Sequence, residues 1–440
     1  MNPAADFRFL ESHATPAKEE KVLFESWPAT KATQPDGELG WESLNRYGKN
    51  TLLRWPKKPI AFLCDLHADK DAFLRSLDLG GLIRRQGTEW SLSEHGRAYR
   101  YVFGGDLFDK GPSTLDLLDA IASLREQASD VSFVVGNHDI RTFLGLISVG
   151  SEKPADKSWF VRMGKKAVPF LAEVWAREAD HAEVDQIDEN QARRILFPTD
   201  AEMNAFIDEM GLWASPLRLE KEKKKLEKKR AQMPEVLAEH GLSMAQTLVA
   251  VKAAQRLFCE KTGRYSWVFR EPELILESGS LLFMHAGLDD AVTTIVETEG
   301  VAGLNQRFRS LVAEEDYFAL YFGPVGNVFR TKYRSHEPVF SDSAARAMRD
   351  RGHHIVVHGH ENRDNGQGMK MRSGLLHLQC DASVDAGTRK NEGIPGLGGG
   401  LTLLHASGQV YGLSMDCPRV KWCDFSSFFS AVYGVFSGVV

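Results

Sequence analysis

The chain predicts an α/β fold, and two observations carry that expectation. Short apolar, β-branched runs recur near 59–65, 98–106, 131–139, 280–288 and 354–362. Helical stretches such as KDAFLRSLDL and STLDLLDAIASLREQ lie between the first three, and strand–helix–strand alternation is the α/β signature. The second observation is how each run ends. The first gives Asp65 and His67 in DLH, and the second gives Asp106 and Asp109 in GDLFD. The third gives Asn137, His138 and Asp139 in GNHD, the fourth His285 in HAG, the fifth His358 and His360 in HGH. Ligands of open α/β sheets bind beyond the carboxyl ends of strands.

The runs LLHLQCD, LTLLHA and QVYGLS add three further strands. Residues from about 151 to 270 read differently. They are helix-rich and Trp-punctuated, and they include RLEKEKKKLEKKRAQM. This divides the chain into an N-terminal arm (1–55), a first core segment (56–150), a helical insertion (151–274), a second core segment (275–420) and an apolar C-terminal tail (421–440). No internal repeat is visible.

The bulk numbers exclude several classes. At 440 residues the chain is long enough for two domains or one large decorated one. A net charge of −6 provides no global basic field to draw it to nucleic acid. Five cysteines, Cys64, Cys259, Cys380, Cys417 and Cys423, are scattered without CxxC spacing. They are expected as reduced thiols in a reducing, cytoplasmic setting rather than as a disulfide framework or a zinc knuckle. The N-terminus lacks a cationic apolar leader, so no signal peptide is expected. The tail FSSFFSAVYGVFSGVV is too short and too broken by Ser and Gly for a membrane span, and is expected to pack on the body. No membrane contact is therefore expected.

Asp106 taken alone has two readings, a cap on the following turn or helix and a metal ligand. An unpaired charge at the mouth of a buried strand is costly, so it needs a partner. Five strand ends bearing Asp, Asn and His are hard to assign to five independent caps. Carboxylate oxygen and imidazole nitrogen suit manganese, iron and zinc better than soft-ligand metals. A carboxylate can bridge two cations, and two metals ~3.5–4 Å apart can clamp the attacking and leaving oxygens of a displacement at phosphorus. A free histidine beside them could protonate the leaving alkoxide.

The ordered set DxH, GDxxD, GNHD, HAG, GH resembles that of the metallophosphoesterases, also called calcineurin-like phosphoesterases. The resemblance spans roughly 59–145 and 278–415, and its wording looks most like the phosphoprotein phosphatase branch. It implies a β-sandwich core flanked by helices, here with a helical insertion. It also implies two divalent metal ions, manganese first, with iron or zinc as alternatives. Carried over by position, Asp65 and His67 would hold the first metal and Asp106 would bridge both. Asn137, His285 and His360 would complete the second. His138 would be the general acid, oriented by Asp109. The implied activity is hydrolysis of phosphate monoesters, on a phosphoprotein or a small molecule, by direct attack of metal-bound hydroxide. A phosphodiesterase or nuclease, and a catalytically silent binding module, are the alternatives. No expected ligand is missing from the motifs. Oligomeric state stays open.

Some positions depart from the pattern. The second aspartate of GDLFD is followed by Lys110 where the branch has arginine, which keeps the charge and loses the bidentate fork. A solvated turn lysine is the plain alternative. In GPVGNVFRTKYR, Arg330 fits a phosphate-binding arginine best and Arg334 is second. In HGH, His360 is read as the ligand and His358 as structural, because Gly359 directly precedes His360; both would bind if the pattern were HxH. Ala68 stands where the branch usually has glycine. GLGGG at 396–400 lacks the strand and helix of a dinucleotide loop and reads as a turn or substrate-rim loop. The basic RLEKEKKKLEKKR stretch reads as a solvated helix with internal i,i+4 pairs, or as an arm for an acidic partner or nucleic acid. Arg141, just after GNHD, could reach the pocket.

Overall fold

The computed structural model describes residues 24–27, 41–48, 51 and 53–426. The C-terminal run after Ser426 and most of the N-terminal arm lie outside the described residues.

Two sheets stack face to face. The larger orders its strands Phe24–Ser26, Val420–Asp424, Gln409–Ser414, Gly400–Leu404, Ile60–Leu63, Arg100–Phe103, Val131–Phe133. The smaller runs Gly368–Arg372, Leu375–Gln379, Ile355–His358, Leu281–Met284, Ile275–Ser278. Strand alternation explains the stacking. Ile60 and Phe62 face an inter-sheet core shared with Val102, Leu281, Phe283, Ile355 and Val357. Their neighbours Ala61, Leu63, Tyr101, Phe103, Leu282 and Val356 face outward into a second core lined by helices. Both faces of these strands are buried, which is why they read as continuous apolar runs.

On the outer face of the large sheet lie the helices Lys70–Leu79 and Thr114–Gln127, begun by the side-chain caps Asp69 and Ser113. The helices Asp290–Ala313 and Asp342–Asp350 lie on the small sheet. Between Ser148 and Ile275 the chain is almost wholly helical, and its longest element is Pro216–Glu239. The apolar residues of this stretch, among them Trp159, Phe206 and Phe258, join the same outer core as the large sheet.

Six strands escaped the sequence reading, among them Ile275–Ser278 and Gly368–Arg372 at the two edges of the small sheet. Ile83–Gln86 and Glu89–Leu92 form a hairpin whose residues are mostly exposed, so no apolar run marks it. Its signal is Gly87, which supplies the left-handed turn at φ 64°. Val420–Asp424 joins the large sheet, and Phe24–Ser26 pairs with it in parallel as the edge strand.

Candidate metal centre

Parallel pairing brings the motifs together. Ile60–Leu63, Arg100–Phe103 and Val131–Phe133 are parallel neighbours, so DLH, GDLFD and GNHD leave the large sheet at one edge. Leu281–Met284 and Ile355–His358 are parallel in the small sheet and deliver His285 and His360. The edges are tied across the sandwich. The Gly359 amide donates to the His285 carbonyl (3.0 Å) and the His360 amide to Asp65 Oδ2 (3.0 Å).

Two buried groups of possible ligands result. Asp65, His67 and Asp106 form one, and Asp106, His285 and His360 the other. In each group the ligand atoms lie within 4.8 Å of one another. Asp106 belongs to both. Its Oδ2 is 3.7 Å from His67 Nε2 and 3.5 Å from His285 Nε2. Asn137 joins the second group, its Oδ1 3.1 Å from His285 Nε2. The outer ring nitrogens are tied to carbonyls. His67 Nδ1 meets the Phe108 carbonyl at 3.0 Å and His285 Nδ1 meets that of Gly104 at 2.8 Å. Donation to those carbonyls leaves each Nε2 with a lone pair facing the group, as a metal ligand needs.

Buried carboxylates and imidazoles come together in one place. Burial opposes charge on Asp106, but His285, His138, His67 and His360 outweigh it and hold the carboxyl well below the usual range. Burial, then the Asp106 charge, raises Asp65 to about 7. Burial and Lys110 push His67 well below its ordinary value, and burial and His285 do the same to His360. Neutral imidazoles and clustered carboxylates in one buried place fit a divalent-metal donor set.

The backbone is strained where the ligands sit. Among the described residues, Asp65, His67, Ala68, Asp106, Asp109, Lys110 and His360 all have φ between 44° and 69°. Such left-handed residues cost about 1–3 kcal/mol each and persist where surrounding structure over-determines them. Gly105 turns at φ 83° against Gly136. A Cβ on Gly359 would stand 2.0 Å from Asp65 Oδ2.

His138 and Asp109 form a separate pair, Nδ1 to Oδ2 at 2.7 Å. This turns His138 Nε2 inward, 3.9 Å from Asp106 Oδ2. Lys110 also points inward. Its Nζ lies 2.6 Å from His67 Nε2 and 3.1 Å from Thr388 Oγ1, so it is not a solvated turn lysine.

Arg330 sits one step away. Its carbonyl is 3.2 Å from His360 Nε2, while its guanidinium bonds Gly326 O and Asn327 Oδ1 and lies over the Tyr321 ring. Arg334 is exposed. His358 is buried away from both groups. Its Nε2 is unpartnered and its ring packs edge-on against His377. Arg141 bonds the Met163 carbonyl. In GLGGG, residues 396–399 form a turn and Gly400 opens a strand.

Sequence reasoning quoted Asp139 without giving it a role. Its carboxylate accepts from the amides of Asp106, Leu107 and Gly136 and so pins the GDLFD turn to the GNHD turn. The signal was its place at the end of GNHD. Phe108, between the two GDLFD aspartates, packs against Phe170, Phe258 and Phe269 of the helical stretch. No motif marks that contact.

The calcineurin-like phosphoesterase family matches residues 58–215. No curated protein matches the chain. Among solved structures, the chain is similar to a cold-active protein-tyrosine phosphatase of a psychrophilic Shewanella species. Identity is 14% and the TM-score 0.43, over 83% of this chain and 80% of that one. It is also similar to a protein serine/threonine phosphatase from Saccharomyces cerevisiae, at 10% identity and a TM-score of 0.33, over 83% of this chain and 81% of that one. Residues 58–215, which carry DLH, GDLFD and GNHD, match that family, in line with the resemblance drawn from those motifs.

Proposed function

We propose that the protein is a two-metal phosphatase that hydrolyses phosphate monoesters, of the phosphoprotein phosphatase kind. The observation that carries this reading is the pair of buried ligand groups sharing Asp106, with His138 and Asp109 beside them.

Asp65, His67 and Asp106 would hold one cation; Asp106, Asn137, His285 and His360 would hold the other. When bound, the pair would polarise the phosphoryl oxygens and supply hydroxide at neutral pH, and manganese suits the O/N donor set. Asp109 holds the His138 ring so that its Nε2 proton can pass to the leaving oxygen. Lys110 is placed to meet phosphoryl oxygens beside His67, as a point charge without arginine's fork. Arg330 is a phosphate contact at the rim. A phosphorylated protein or small molecule is the substrate. Five free thiols favour a reducing, cytoplasmic setting. No helix of the described residues is long and apolar enough to cross a membrane.

The test is hydrolysis of a small aryl phosphate monoester and its matching diester by metal-stripped protein with manganese restored, beside Asp106→Asn. Monoester cleavage that needs both manganese and Asp106 is expected. Full activity of the variant would overturn the ligand assignment, and cleavage of the diester alone would move the substrate to phosphodiesters.

A further inference from the structure

Next to the metal centre lies a cavity of 690 Å3 whose wall is strikingly one-sided in charge. Arg162, Arg218, Lys221, Lys225 and Arg330 line it, against only two acids, Glu222 and Glu337. Both acids are already engaged. Glu222 bonds Arg162 and lies 3.9 Å from Lys225. Glu337 accepts from the amides of Lys332 and Arg334. Arg218 and Lys221 make no ion pair among the described residues. Among the described residues, the Arg330 guanidinium meets a carbonyl, an amide oxygen and aromatic faces and no carboxylate.

These cations are drawn together rather than spread apart. Arg162 and Arg330 both lie over the Tyr321 ring, at 4.7 and 5.0 Å. Burial raises the Tyr321 hydroxyl, yet Arg162, Arg141 and Arg330 outweigh it and bring the phenol below its ordinary value. Burial first, then the repulsion of Arg141, Arg162 and Lys225, brings Lys229 down to about 7. Like charges held this close raise the free energy of the empty protein, and an anion would relieve it. Arg330 links the two places: its carbonyl lies 3.2 Å from His360 Nε2, and the same residue lines the cavity.

We propose that this cavity is a second anion subsite, and that the substrate is a small molecule carrying two phosphate groups, one presented to the metals and the other held by Arg162, Arg218, Lys221 and Arg330. The proposal rests on the phosphatase reading above and adds the substrate class to it. Two of these residues, Arg218 and Lys221, come from the basic helix Pro216–Glu239, which is thus more than a solvated surface element.

The experiment compares butane-1,4-diol bisphosphate with butyl phosphate, using the full-length manganese-loaded protein and its Arg218→Ala/Lys221→Ala double variant. Both residues are exposed, so the variant keeps its packing. The wild type should favour the bisphosphate in kcat/KM by about tenfold or more, the worth of one or two charge-assisted hydrogen bonds. The double variant should lose that preference through KM. A wild-type ratio near one, or a ratio unchanged in the variant, would overturn the subsite. Binding of the same two compounds is measured by calorimetry in parallel. Bisphosphate binding that weakens about tenfold in the variant without any turnover would keep the subsite and sink the phosphatase reading. Equal binding to both proteins would sink the subsite alone. A single-stranded DNA 12-mer that displaces the bisphosphate and binds more tightly would reassign the cations to nucleic acid and overturn the proposal.

Discussion

At the sheet ends, charge is matched to charge and locked by the backbone. Asp106 stands among four histidines, and Asp139 fixes the turns on either side through three amides. In the helical cover above, arginines and lysines gather with two acids between them, and Arg218 and Lys221 are exposed with no ion pair among the described residues. The first region tolerates no displacement, because its ligands come from strained turns of both sheets. The second tolerates more, because exposed cations such as Arg218 and Lys221 are tips of long side chains outside the shared core. One chain has thus built chemistry from backbone and selectivity from side chains, and variants should separate the two.

The largest effect is expected where backbone approaches backbone. Gly359→Ala would place a Cβ 2.0 Å from Asp65 Oδ2 and 2.9 Å from Cys64 Cβ, so the ligand must move. We expect one of two metal equivalents to be lost and the rate to fall to background, read by metal analysis of the folded variant. Two retained metals with wild-type rate would show that the bed is softer than its geometry implies. Next comes His138→Asn, which should slow the reaction by roughly 10²–10⁴ while both metals stay bound. Loss of metal instead would make His138 a ligand and erase the division between bed and acid.

A smaller effect follows from pH. Asp65 is raised to about 7, so below that pH it is protonated and neutral, and above it a carboxylate. Manganese uptake by the metal-free protein must then release a proton below pH 7, and affinity at that position should fall about fivefold from pH 7 to 6 and approach about tenfold per unit below that. Titration calorimetry in two buffers of different ionisation heat measures both quantities; affinity independent of pH between 6 and 7 would remove Asp65 from the ligand set. The smallest effect is expected of His358→Ala. Its ring lies against His377 and outside both ligand groups, so metal content and rate should hold while thermal stability drops. A lost metal would bring back the HxH reading.

The bed was legible in the sequence because chemistry forces its residue types, and parallel strands force their ends together. Asp65, Asp106, His285 and His360 could be named from motif order alone, although they come from two sheets. The sandwich was implied by the resemblance those motifs carry, and the strands buried on both faces fit it. The cover was not legible. Arg162 is a single arginine in a short helix, and nothing local to Phe108 says that it will meet Phe170, Phe258 and Phe269. Lys225 and Lys229 looked alike in a run of lysines, yet Lys225 is exposed and Lys229 reaches back to the Arg162 carbonyl. Which face of a charged helix turns inward depends on distant packing, and propensity does not report it.

The hydrogen bond between the His360 amide and Asp65 joins residues 295 positions apart. A ribosome adding 5–20 residues each second needs roughly 15–60 seconds to travel that distance. Until residue 285 is made, DLH, GDLFD and GNHD are present without either histidine of the small sheet. A nascent chain can offer a cation three donors at most from its first half, and Asp106 has no second site to bridge. The aromatic clamp on Phe108 arrives in between, with Phe170, Phe258 and Phe269, so the GDLFD turn is set before its last partners exist. Loading of the complete pair therefore waits for the last strand, and a chain truncated anywhere before residue 360 would leave the ribosome without His360.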